Sequence, residues 1–399
     1  MIHKSIAFPI LLVGCFVFFW CALAGATDLP QLTPNVRNAL VRAQKALSKG
    51  KLKEVEQDLS PLLKDNAHPL VCFILGNAYF LDHNLDRAYK VYDTGLKNAP
   101  DYLPLVENFA SVCFELKKFD TAAVYFLRAW HLSRLKGHVN NQFLYNAAVS
   151  YYQNGQYNSC FKVLKELFDI SSSIPKKSYC SLLLICAMKV RHVDTAVSYF
   201  KRFTYRYPAV SFLWLFLSKA YIIQKDYKDA AICLETSYRL RKKGATPKKW
   251  EELANIYAYT GAFLKAASCI KYGYSGHYSP RILDKIISYY IQAHNYKEAV
   301  SWLKRAIKVQ PAAKRYFLLG KLYYEHSDFN KAICAFQKGI AISKAQYKRL
   351  GNIWMLLGVC AFETNRINLA RKAFLNAEHY HQFYGVAKSY IDFISLLKD

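Results

Sequence analysis

The sequence predicts an all-α chain, an α-solenoid of about ten helix–turn–helix units in tandem with a helix closing the C-terminal end. Three observations carry this. Glycine and proline are scarce, at 16 and 12 of 399 residues, which leaves little room for long structureless linkers. Hydrophobic residues make up 53% and aromatics 16%, enough for an extensive core, and their spacing is helical rather than alternating. One pattern of small and large residues recurs about every 34 residues along nearly the whole chain.

The N-terminus stands apart from that pattern. Lys4 is its one early charge, IAFPILLVGCFVFFW follows without another, and Ala24-Gly25-Ala26 puts small residues where a signal peptidase needs them. Residues 1–26 therefore read as a secretory signal peptide and 27–35 as a lead-in. The alternatives are an uncleaved inner-membrane anchor over residues 6–24, or a lipoprotein through Leu12-Val13-Gly14-Cys15, disfavoured by the apolar FVFFW after the cysteine.

The pattern is clearest from Pro69. With Pro69 as slot 1, Cys72 takes slot 4, Leu75 slot 7, Gly76 slot 8 and Tyr79 slot 11. Ala88 then takes slot 20, Tyr92 slot 24, Gly95 slot 27 and Pro100 slot 32. The next units show Ala110, Ala122 and Phe126; then Ala148, Tyr151 and Gly155; then Ala196, Phe200 and Pro208. They continue with Trp214, Leu217, Tyr221 and Ala230; Trp250, Ala254, Gly261 and Ala266; and Tyr290, Ala299 and Pro311. Gly320, Ala332 and Phe336, then Trp354, Gly358, Ala370 and Phe374, complete the series, and a degenerate first unit starts at Val36. Small residues at slots 8 and 20 let the two helices of a unit cross closely. Large residues at 4, 7, 11 and 24 fill the space around the crossing. Glycine or a small residue near slot 15 ends the first helix, and proline near slot 32 ends the second.

This pattern resembles the tetratricopeptide repeat, over residues 36–384. The resemblance implies a right-handed superhelix in which each unit buries its apolar face on the next. Residues 385–399, with their lead-in from His381, read as an amphipathic helix capping the last unit. No second domain is expected.

No catalytic constellation stands out. The chain has no G-x-S-x-G, H-E-x-x-H, phosphate-loop or G-x-G-x-x-G motif, so no enzyme activity, metal or cofactor is expected. Cys180, Cys186 and His192 fall on slots that do not converge, and His379 and His381 lead into the last helix. Nine of eleven cysteines lie beyond the signal segment, an odd number without a CxxC pair. Those at slots 4, 10, 11, 20 and 23 are expected to be mostly free thiols packed as small apolar residues.

In the resembled family the first helices line a concave groove that binds peptides or partner helices, mainly through slots 2, 5, 9 and 12. That places Phe73, Asn77, Phe80, Phe114, Tyr145, Tyr152, Leu215, Ile222, Phe317, Tyr324, Met355 and Phe362 as groove residues here. Large residues at slot 12 have a second reading, as packing between units. An apolar groove suits an extended apolar segment or an amphipathic helix. Phe73 before Asn77 lacks the lysine that a C-terminal carboxylate clamp would want.

The formal charge is +27, and about +26 once Lys4 leaves with the signal segment. Such a field favours anionic surfaces. Arg239, Arg241, Lys242, Lys243, Lys248 and Lys249 form a basic patch in one inter-unit turn, open to an anionic membrane surface or an acidic partner. Nucleic acid is not expected for an exported chain. Oligomeric state is not readable. The function expected is a non-enzymatic scaffold or adaptor in the bacterial cell envelope, in the periplasm, binding a protein partner of an envelope complex. The alternatives are a polysaccharide-binding subunit that positions substrate for a separate enzyme, and a membrane-anchored repeat protein.

Overall fold

A computed structural model describes residues 29–396, except 65, 242–243 and 344–348. The expected signal peptide, and with it any anchor over residues 6–24, lies outside the described residues, as do Lys242 and Lys243. The chain divides into two compact units that meet at Gln224–Lys225, inside the sixth repeat.

The first unit holds five helix pairs and one further helix. They are α1 (Pro34–Ser48) with α2 (Leu52–Leu59), α3 (Pro69–Leu81) with α4 (Leu85–Asn98), and α5 (Leu103–Glu115) with α6 (Phe119–Leu135). Then come α7 (Asn141–Gln153) with α8 (Tyr157–Ile170), α9 (Lys177–Lys189) with α10 (Val193–Arg206), and α11 (Ser211–Ile223). The second unit opens with α12 (Tyr227–Arg239). Its pairs are α13 (Pro247–Tyr259) with α14 (Phe263–Tyr274), α15 (Pro280–Gln292) with α16 (Tyr296–Val309), α17 (Ala313–Glu325) with α18 (Phe329–Ala341), and α19 (Leu350–Glu363) with α20 (Ile367–Glu378). Helix α21 (Tyr384–Leu396) closes the chain. Among the described residues no helix is long and apolar enough to cross a membrane.

Two glycine seams set the packing. At slot 8, a Cβ on Gly76 would overlap the Tyr92 ring, and one on Gly358 would lie 2.6 Å from Cε1 of Phe374. At slot 27, a Cβ on Gly95 would lie 2.7 Å from Cβ of Cys72, and one on Gly273 would overlap Trp250. The large ring at slot 24 thus occupies the volume that slot 8 leaves open, and slots 4 and 27 make the same exchange.

The turn between the paired helices holds a correction. Slot 15 is left-handed in every unit, yet glycine fills it only at Gly50, Gly155 and Gly261. Elsewhere His83, Lys117, Arg191, Lys225, His294, Ser327 and Asn365 adopt the same positive φ. Glycine is the cheapest residue there, but the closing hydrogen bonds hold other side chains in place. The amide of Asn84, for example, donates to the carbonyl of Tyr79 at 2.8 Å.

Helix α21 lies on the last repeat. Its Tyr390 stacks on Phe374 with ring centroids 4.5 Å apart, and Tyr390 and Phe393 meet Phe362 edge-on at 5.7 and 6.0 Å. Ala387 and Ile394 are its buried residues.

Candidate functional site: the face of the first helices

In the first unit the slot-12 residues follow one another on five successive first helices: Phe80, Phe114, Tyr152, Met188 and Ile222. Phe80, Phe114 and Tyr152 are half-buried, whereas Met188 is 46% and Ile222 38% exposed. Part of this row is packing. Phe114 meets Phe119 at 5.2 Å and Tyr152 meets Tyr157 at 5.5 Å, each leaning over its own turn onto the start of the second helix. In the second unit Tyr324 does the same to Phe329, at 6.1 Å. Phe73 is half-buried against the edge of Tyr102, and Leu215 is half-buried.

Four groove residues are placed differently from the expectation. Tyr145 is only 5% exposed, with its ring 4.6 Å from that of Tyr179 on the next first helix. Phe317, at 7%, faces Phe336 of its own pair, and Met355 is 9% exposed. Slot 5 therefore turns inward at these repeats, where a bulky neighbour draws the side chain into the core. Phe362 lies under α21 and is covered by Tyr390 and Phe393.

This face also carries polar chemistry that the apolar slots do not imply. Asn77 Oδ1 accepts from the Tyr92 hydroxyl at 2.5 Å and from Asn108 Nδ2 at 2.6 Å, so its oxygen is already used within the chain. Gln142 Oε1 accepts from Lys176 Nζ at 2.8 Å and the Tyr179 hydroxyl at 3.1 Å. Slot 5 carries Glu107 in the first unit and Glu251 and Asp284 in the second. Glu251 accepts from the Tyr274 hydroxyl, Arg281 and Lys285, each at 2.9 Å. Burial works to raise its pKa, but the hydrogen bonds from Lys285 and Tyr274 and the charges of Lys285 and Arg281 outweigh it and hold the carboxyl below its usual range. Asp284 pairs with Arg315 at 2.8 Å, and the buried Arg315 also donates to the carbonyls of Gln310, Ala306 and Pro280. The carboxylates on this face of the second unit are thus neutralised from within.

Glu107 differs. It has no hydrogen-bond or ion-pair partner to its carboxyl among the described residues, and burial pushes that carboxyl up to about 7. A carboxyl whose folded pKa exceeds its unfolded one contributes stability below the unfolded pKa, which is lost as pH rises through the folded value. Glu107→Gln is therefore expected to leave stability unchanged at pH 4 and to raise it by about 1–3 kcal/mol at pH 8, read from urea unfolding at the two pH values. A variant with equal effects at both pH values would contradict the assignment.

The basic turn is less open than its composition implies. Arg239 pairs with Glu235 at 2.7 Å, and its guanidinium lies over the rings of Tyr272 and Trp250 at 5.0 and 5.7 Å. Arg241 lies over Tyr238 at 5.4 Å. Lys248 is exposed and Lys249 half-buried. Arg239 is thus part of the packing at this turn. Among the described residues no cluster of three His, Cys, Asp or Glu could hold a metal ion. Eight of the nine described cysteines are buried, and Cys334 is exposed.

A tetratricopeptide repeat profile matches residues 285–348, the stretch from α15 to the segment after α18. That stretch matches the tetratricopeptide repeat, and the helix pairs on either side of it follow the same spacing. Among solved structures, it is similar to a tetratricopeptide repeat protein from Parabacteroides merdae, at 15% identity, covering 65% of this chain and 100% of that one with a TM-score of 0.36. It is also similar to YrrB, described as a tetratricopeptide repeat protein with an unusual peptide-binding site, at 14% identity, 50% and 92% coverage and a TM-score of 0.35. The Cut9–Hcn1 assembly of the APC/C matches at 13% identity, 94% and 92% coverage and a TM-score of 0.29. At such scores these likenesses carry no argument about function. No curated protein matches the chain. Tetratricopeptide repeats serve generally as surfaces for protein–protein interaction.

Proposed function

We propose that this chain is a non-enzymatic scaffold of the bacterial cell envelope, exported through its N-terminal segment, that binds an apolar segment or amphipathic helix of a protein partner. The partner lies on the first-helix face of the first unit. One observation carries the choice of face: five successive first helices present an apolar slot-12 side chain that is half-buried or exposed, from Phe80 to Ile222. Residues in that state can gain burial from a partner at little cost to the fold. The second unit is a weaker candidate, because its slot-5 carboxylates are paired internally and Phe362 is covered.

The test is capture of partners from envelope fractions with the full-length chain and with the double variant Phe80→Glu, Ile222→Glu. The variant is expected to keep its circular dichroism and lose at least tenfold of the captured partner. Unchanged capture by a folded variant would reject this face. N-terminal sequencing of the protein from cells tests export separately, with a start at Thr27 expected.

A further inference from the structure

The repeat architecture gives one covalent consequence that the groove does not involve. Cys160 on α8 and Cys186 on α9 sit with their sulfurs 2.9 Å apart, closer than two unbonded sulfur atoms ordinarily approach. Both are fully buried, with 0% of either residue exposed. They occupy slot 20 of one repeat and slot 10 of the next, where a second helix meets the following first helix. The same register position holds Ala122 and Ser150 one repeat earlier, and Ala196 and Ala220 one repeat later, all four buried. Packing there asks only for small side chains. This repeat alone in the first unit supplies a thiol from both sides.

We propose that Cys160 and Cys186 form an intramolecular disulfide that bolts α8 to α9. The reaction is thiol–disulfide exchange with a small disulfide such as glutathione disulfide. One thiolate attacks a sulfur of the donor and releases the first donor thiol, giving a mixed disulfide. The second thiolate attacks the protein sulfur of that mixed disulfide and releases the second donor thiol. One S–S bond breaks and one forms, and the two thiol protons end on the two released thiols. In the closed fold neither sulfur is accessible, and the contact with Cys186, together with burial, holds the Cys160 thiol in its protonated, unreactive form. The bond therefore forms as the chain folds, or when the α8–α9 layer opens, and once formed it is shielded from reductant. The free thiols of Cys72, Cys113, Cys180, Cys269, Cys334 and Cys360 are expected to stay reduced.

The experiment starts from reduced, unfolded full-length chain and refolds it in a buffer of glutathione and glutathione disulfide. Free thiols are then blocked with a maleimide in denaturant, and tryptic peptides are mapped by mass spectrometry. The expected product is the Cys160 peptide joined to the peptide that carries both Cys180 and Cys186. Fragmentation should place the bond on Cys186; Cys180→Ala should retain it and Cys186→Ala abolish it. The oxidised protein should melt several degrees above the reduced one, a difference absent from Cys186→Ala. Cys160 and Cys186 both carrying maleimide after refolding would overturn the proposal, as would a bond from either to another cysteine in their place. The wild-type map decides the matter even where a variant fails to fold.

Discussion

Trp250→Ala is expected to destabilise the protein by about 3–5 kcal/mol, among the largest losses a single truncation can produce. Trp250 sits at slot 4 of α13 and is 2% exposed. Its ring meets Tyr272 at 4.6 Å and Tyr238 at 5.6 Å, and Arg239 lies over it. Gly273 is a glycine because the Trp250 side chain fills the place of its Cβ. Alanine would leave a cavity between three helices that cannot close inward, since the surrounding aromatic rings are held by their own contacts. Stability in stacked repeats is close to a sum over neighbours. Hydrogen exchange should therefore show the loss first in α12, α13 and α14. A urea midpoint implying less than about 1 kcal/mol would mean that slot 4 does not anchor the repeat.

At the helix crossing the sign of the effect is as informative as its size. Helix propensity alone predicts that Gly76→Ala gains about 1 kcal/mol, because glycine is poor in a helix interior. The crossing predicts a loss. An alanine Cβ would run into the buried ring of Tyr92, whose hydroxyl is fixed by Asn77. Gly76→Leu should cost about 3 kcal/mol, with α3 and α4 forced apart, and Gly76→Ala should cost less than that but still be a net loss. A stabilising Gly76→Ala would show that the pair is looser than the packing of Tyr92 requires.

The repeat was legible because its slots record steric necessity. Glycine at 76, 320 and 358 faces a slot-24 ring each time, so spacing alone recovers the unit. The termini were legible for the same reason: Pro100, Pro208 and Pro311 follow the ends of α4, α10 and α16. The site was less so. The large apolar residues of slot 5 suggest a groove, but the same slot holds Glu107, Glu251 and Asp284. One signal was available, since Arg281, Lys285 and Arg315 lie about one period beyond their carboxylate partners. The i,i+4 pair Glu235–Arg239 was likewise readable and already weakened the basic patch. The burial of Tyr145 and the covering of Phe362 depend on rings from other helices, Tyr179 and Tyr390, whose reach no linear pattern contains. The approach of Cys160 to Cys186 belongs with these.

The division of labour between the two faces of the repeats can be tested in living cells with a photoreactive phenylalanine analogue placed at one position at a time. Phe80 and Ile222 report on the first-helix face of the first unit, and exposed Val124, on α6, reports on the second helices. On irradiation, partner adducts are expected from positions 80 and 222 and to be at least tenfold weaker from 124. Adducts of equal or greater yield from position 124 would contradict the assignment of recognition to the first helices.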